Sequence, residues 1–109
     1  MQLLKKVIPF DVDETLIGVG GPEEITFFNP NHGIYETTKV YQKHVDRIIK
    51  LKESGHAIIV WSMSGGEYAK NVVEAIGIEE YVDIVSDKPI EYYDDMKVGW
   101  EWMCLRKFL

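Results

Sequence analysis

The stretch Val7-Ile8-Pro9-Phe10-Asp11-Val12-Asp13-Glu14-Thr15-Leu16 sets four consecutive apolar residues directly before two aspartates spaced one residue apart. An unbroken apolar run stopped by an acidic residue is the pattern of a strand covered on both faces, since a strand with one wet face alternates. Leu3 to Phe10 therefore reads as a strand. Outward from it, Ala57-Ile58-Ile59-Val60-Trp61 repeats the pattern after the Ser54-Gly55 break. Tyr81 to Val85 and Ile90 to Tyr93 are shorter candidates.

Between the first two strands, Thr38 to Glu53 sets Val40, Val45, Ile48, Ile49 and Leu51 against polar Lys43, Asp46, Arg47 and Lys50, the spacing of an amphipathic helix. Glu67 to Ile76 is a second helix, entered through Ser64-Gly65-Gly66 and ended by Gly77. Met96 to Leu109 is a third, with Arg106 and Lys107 in the last turn, where the dipole favours cations. Ile17 to Thr37 is rich in Gly, Pro and Asn. There Ile25-Thr26-Phe27-Phe28 and Ile34-Tyr35-Glu36 flank Asn29-Pro30-Asn31-His32-Gly33, which predicts a hairpin over 25–36 with a five-residue turn. Strands alternating with helices predict the α/β class: a small parallel sheet of about four strands with right-handed crossovers and helices on both faces. Ligands of such sheets bind beyond the carboxyl ends of the strands.

The composition bounds the function. The chain has 109 residues, 46% hydrophobic, and a net charge of −6. One domain spanning 1–109 is expected, long enough to bury a core without disulfides, which the lone Cys104 could not form within the chain. The acidic balance disfavours nucleic acid held on a broad basic surface, although a local phosphate site remains open. The apolar run after Lys5-Lys6 is too short for a signal peptide and no stretch suits a membrane span, so a soluble cytoplasmic protein is expected. His32, His44 and His56 form no ligand spacing.

The strand ends carry the chemistry: Asp11, Asp13 and Thr15 after the first, Ser62 and Met63 after the second, Lys88 after the third, Asp94-Asp95 after the fourth. Converging carboxylates repel unless a hard cation sits among them, and Mg²⁺ accepts one or two while keeping positions for water and phosphate oxygen. Ser62 and Lys88 add a hydroxyl and a positive charge suited to phosphate oxygens. Ser64 competes with Ser62, and Lys97 is a distant rival of Lys88.

These motifs resemble those of the haloacid dehalogenase (HAD) superfamily of phosphohydrolases. Its first motif, a hydrophobic strand followed by D-x-D-x-T-L/V, is matched by residues 7–16. Ser62 matches the second, Lys88 in Ser86-Asp87-Lys88-Pro89 the third, and Asp94-Asp95 the fourth. The resemblance runs from residue 7 to residue 95. It implies a Rossmann-like sheet of order 4-1-2-3 and a Mg²⁺-dependent phosphomonoesterase in which Asp11 is the nucleophile and Asp13 the acid and base. Ser62, Met63, Lys88 and Thr15 then belong to the phosphate site, with Thr15 chiefly ordering the loop. Asp11, Asp13 (through its main-chain carbonyl) and Asp94 or Asp95 hold the metal, Asp94 being favoured. Asp13 separates this branch from dehalogenation, which needs no second aspartate there.

In the superfamily it resembles, lids insert after the first motif or between the second and third. The 25 residues from Met63 to Asp87 hold one helix and one strand, so the resemblance implies no lid, with the hairpin corresponding to the family's flap over an open site. The substrate is a phosphorylated molecule of unassigned class. A catalytically weak module binding Mg²⁺ or a phospho-ligand, and a polynucleotide end phosphatase, are the alternatives. A response-regulator receiver fits less well, because its phosphorylated Asp lies on a middle strand where this chain has Trp61-Ser62. In the last helix a second apolar stripe, Val98, Trp102, Leu105 and Leu109, is a candidate homodimer contact.

Overall fold

The computed structural model describes residues 5–91 and 93. Strands β1 (Val7–Asp11), β2 (Ile17–Gly18), β3 (Glu24–Asn29) and β4 (Ile34–Val40) precede helix α1 (Gln42–Glu53). Then come β5 (Ala57–Ser62), helix α2 (Gly66–Ile76), a 3-10 turn at Glu79–Tyr81 and β6 (Ile84–Asp87).

A parallel sheet has the order β1-β5-β6. Its register pairs Ile8 with Ile58, Phe10 with Val60 and Val60 with Val85. Side chains alternate along a strand, so Ile8, Phe10, Ile58, Val60 and Val85 share one face. That face joins Val45 and Ile48 of α1 and Ala69, Val72 and Val73 of α2 in one core. Both crossovers step the same way across the sheet, and right-handed crossovers moving one way put their helices on one face. The opposite face carries Val7 and Ile84, which remain 56% and 53% exposed. Helices are thus seen on one face among the described residues. The third expected helix, 96–109, lies outside them, with its proposed dimer stripe.

The first strand runs Val7–Asp11, so Lys5 and Lys6, expected within it, lie outside it, and three further elements differ from the sequence expectations. The first helix begins at Gln42, not Thr38, because the hairpin is longer than expected: Thr38 pairs with Ile25 and Lys39 with Glu24. The β-branched run Thr37-Thr38 suits that ladder better than a helix start. The third strand runs Ile84–Asp87 instead of Tyr81 to Val85, since Glu79–Tyr81 coils into the 3-10 turn. Asp83 sets the strand's start: its carboxylate accepts from the Ile58 backbone N–H at 2.7 Å and from Lys52 Nζ at 2.6 Å. The fourth strand expected over Ile90 to Tyr93 is not formed at Ile90, Glu91 or Tyr93, and Tyr92 lies outside the described residues. Pro89, which donates no backbone hydrogen bond, stands at the head of that segment.

The hairpin closes on the Asn29–Ile34 pair, and a second antiparallel sheet forms in the order β2-β4-β3. This flap is fastened to the body. The Phe27 ring meets Tyr68 of α2 edge-on at 5.4 Å between centroids. Asn71 Nδ2 donates to the Phe28 carbonyl at 2.8 Å, and Asn31 Nδ2 to the Ser64 carbonyl at 2.7 Å. Among the described residues no helix is long and apolar enough to cross a membrane.

Candidate active site

The carboxyl ends of β1, β5 and β6 lie side by side, with Asp11 opposite Trp61 and Ser62 opposite Asp87. Just after β1 the chain folds tightly. The Val12 carbonyl accepts from the backbone N–H groups of Thr15, Leu16 and Ile17 at 2.9–3.2 Å. Val12 is fully buried, so the turn pins the residue between the two aspartates while Asp13 stays exposed. Glu14 takes the left-handed conformation at φ 60°, uncommon for a residue with a side chain.

After β6 the chain returns across the end of β5. The Lys88 backbone N–H donates to the Ser62 carbonyl at 3.0 Å. Its ammonium then reaches Asp11 Oδ2 at 3.1 Å, with the Lys88 side chain only 8% exposed against 32% for Asp11. Ser62 is buried, and its Oγ accepts from the Ser64 N–H at 3.0 Å. The Gly66 N–H donates to Asp87 Oδ1, fixing the entry to α2 against β6.

Asp13 has a partner that the sequence reading did not single out. Tyr68 Oη donates to Asp13 Oδ1 at 2.6 Å. Burial above all, then this hydrogen bond and the negative charges of Asp13 and Glu36, push the Tyr68 hydroxyl well above the usual tyrosine range. Tyr68 therefore stays protonated and a donor at any working pH. The available signal was a tyrosine on the core-facing side of an amphipathic helix, where a buried hydroxyl needs a partner.

Asp11, Val12, Asp13, Ser62, Met63 and Lys88 line one cavity of about 240 Å³. Five of the residues expected at the site are thus brought together. Thr15 is not among the lining residues: it sits in the turn, where its carbonyl accepts from His44 Nδ1, an ordering role. Ser64, the rival of Ser62, gives its N–H to Ser62 Oγ and its carbonyl to Asn31. Asp94, Asp95 and Lys97 lie outside the described residues.

No family model, no curated protein and no solved structure matches this chain.

Chemically the cavity joins a carboxylate held against an ammonium, a second carboxylate two residues on, and a buried hydroxyl. Among the described residues no three His, Cys, Asp or Glu side chains are gathered as a metal-holding group. Asp11 and Asp13 nevertheless form an all-oxygen pair. That is the donor chemistry of a hard cation such as Mg²⁺, which takes one or two carboxylates and completes its shell with water and phosphate oxygen.

Proposed function

We propose that the chain is a Mg²⁺-dependent phosphomonoesterase of the HAD type, working through a phosphorylated Asp11. What supports this reading is the convergence of Asp11, Asp13, Ser62 and Lys88 on one cavity from three different strand ends, with Lys88 Nζ 3.1 Å from Asp11 Oδ2.

The phosphoryl group sits between Lys88 and Ser62, whose ammonium and hydroxyl meet its oxygens. An Asp11 carboxylate oxygen attacks phosphorus, and the bond to the leaving oxygen breaks as Asp13 delivers its proton to that oxygen. Water then attacks the phosphorus of the aspartyl-phosphate. Asp13, now a carboxylate, takes the water's proton, and the bond to Asp11 breaks to restore the nucleophile. Asp11, the main-chain carbonyl of Asp13 and Asp94 or Asp95 would hold Mg²⁺, which would supply charge neutralisation between the anionic nucleophile and the phosphate. Lys88 holds the Asp11 carboxylate aimed before substrate arrives. A cytoplasmic setting suits the lone cysteine.

The test is release of phosphate from p-nitrophenyl phosphate with and without Mg²⁺, for the wild type and Asp11→Asn. The wild type turns over only with the metal and the variant not at all; a variant that retains turnover overturns the mechanism.

A further inference from the structure

A second cavity, of about 490 Å³, opens on the flap side of Asp13. It lies between the turn after β1, the flap strands and α2. Its lining and that of the 240 Å³ cavity have a single residue in common, Asp13. An acid that protonates a bridging oxygen must stand where the phosphoryl group ends and the alcohol begins. Asp13 stands at that junction.

The two cavities differ in charge. Lys88 faces the first. The second is lined by Asp13, Glu14 and Glu36 and by Thr37, Thr38 and Tyr68, and among the described residues no Lys, Arg or His lines it. The adjacent Lys39 is engaged elsewhere, with Nζ 3.2 Å from Glu24. The volume falls in the range of small-molecule sites.

We propose that this cavity seats the leaving alcohol of the phosphomonoester, and that it selects amine-bearing, sugar-sized alcohols over neutral ones and rejects anionic ones. The proposal rests on the phosphatase reading above. A cationic group gains from the carboxylates of Glu14 and Glu36, with Asp13 set aside as the acid that carries the proton. A carboxylate or second phosphate, as in a nucleoside diphosphate or polynucleotide, meets like charge, with no cation among the described lining residues to answer it.

Three substrates of nearly equal size and different charge decide the matter: glucosamine 6-phosphate, glucose 6-phosphate and 6-phosphogluconate, with p-nitrophenyl phosphate as reference, all with Mg²⁺. The expected kcat/KM order is amine, neutral, carboxylate, with steps of about tenfold, as a single near-surface charge interaction gives. Glu36→Lys brings 6-phosphogluconate above glucosamine 6-phosphate. Equal rates across the wild-type series, or a carboxylate preference, overturn the proposed selectivity and leave the phosphatase standing. Turnover of the aryl phosphate without any of the three sugars overturns the sugar-sized seat. Absence of turnover on all four overturns the phosphatase reading and the seat with it.

Discussion

Tyr68 touches Asp13 and the flap at once: its hydroxyl donates to Asp13 Oδ1 at 2.6 Å, and its ring meets Phe27 edge-on at 5.4 Å. Tyr68→Phe deletes the first contact and keeps the second. With one hydrogen bond worth about 1.4 kcal/mol, kcat on an alkyl phosphate falls about tenfold. On an aryl phosphate with an acidic leaving group, which needs little protonation, it falls about twofold at most. Steady-state kinetics on both substrates, with a thermal melt to show retained folding, check this. Equal losses on the two would reduce Tyr68 to packing.

Among the described residues, Lys88 is the only cationic one lining the 240 Å³ cavity. Lys88→Met removes both the counter-charge of Asp11 and the cation facing the phosphoryl group, so kcat/KM drops about 100-fold or more. Stability falls by about 1–2 kcal/mol, less than for a fully buried pair because Asp11 is partly solvated. Lys88→Arg does not rescue, since a planar fork does not replace a compact ammonium in so small a space. Phosphate release and urea melts measure the two effects, and chelation of Mg²⁺ with EDTA abolishes turnover in the wild type.

Asp83 is held below the usual carboxylate range by its hydrogen bond from Lys52, then by the one from the Ile58 backbone N–H. A depressed folded-state value stabilises the fold above the unfolded value of about 3.9, and that stability fades as pH falls through the folded value. Asp83→Asn therefore costs about 1 kcal/mol at pH 7, after allowance for a pair one-third exposed to solvent. The difference narrows below about pH 4. Urea melts of both proteins at pH 7, 5 and 3 test the trend; a gap that widens toward acid contradicts it.

Gly21 lies at φ 100°, and a Cβ there would be driven into the Val40 carbonyl oxygen at the end of the flap ladder. Gly21→Ala combines a forbidden backbone with a clash against main chain. It should destabilise by about 2–3 kcal/mol. Gly33, also at positive φ but with open space around it, should lose less on the same change. Chemical denaturation of the two variants side by side ranks them.

The parallel strands were legible because burial on both sides leaves a continuous apolar run, and β1 and β5 have one. Gly77 announced the end of α2 and does take the left-handed conformation there, at φ 85° and ψ 31°. Thr38 to Val40 misled because Val40 fits both a helical stripe and an alternating strand, and only pairing with Glu24 and Ile25 decides between them. The two-residue strand Ile17–Gly18 has no local signal at all, existing only through its pairing with Val40 and Lys39. At the site, strand ends located Asp11, Ser62 and Lys88 without further help. Tyr68 escaped notice because it reaches Asp13 across 55 residues of sequence, a proximity that periodicity cannot encode.

Two asparagines, Asn31 and Asn71, rivet the hairpin to the body at its turn and along β3. An entrance framed that way works as a doorway without a door. Among the described residues no element has to swing open before product of the proposed reaction departs, so added glycerol should leave kcat untouched.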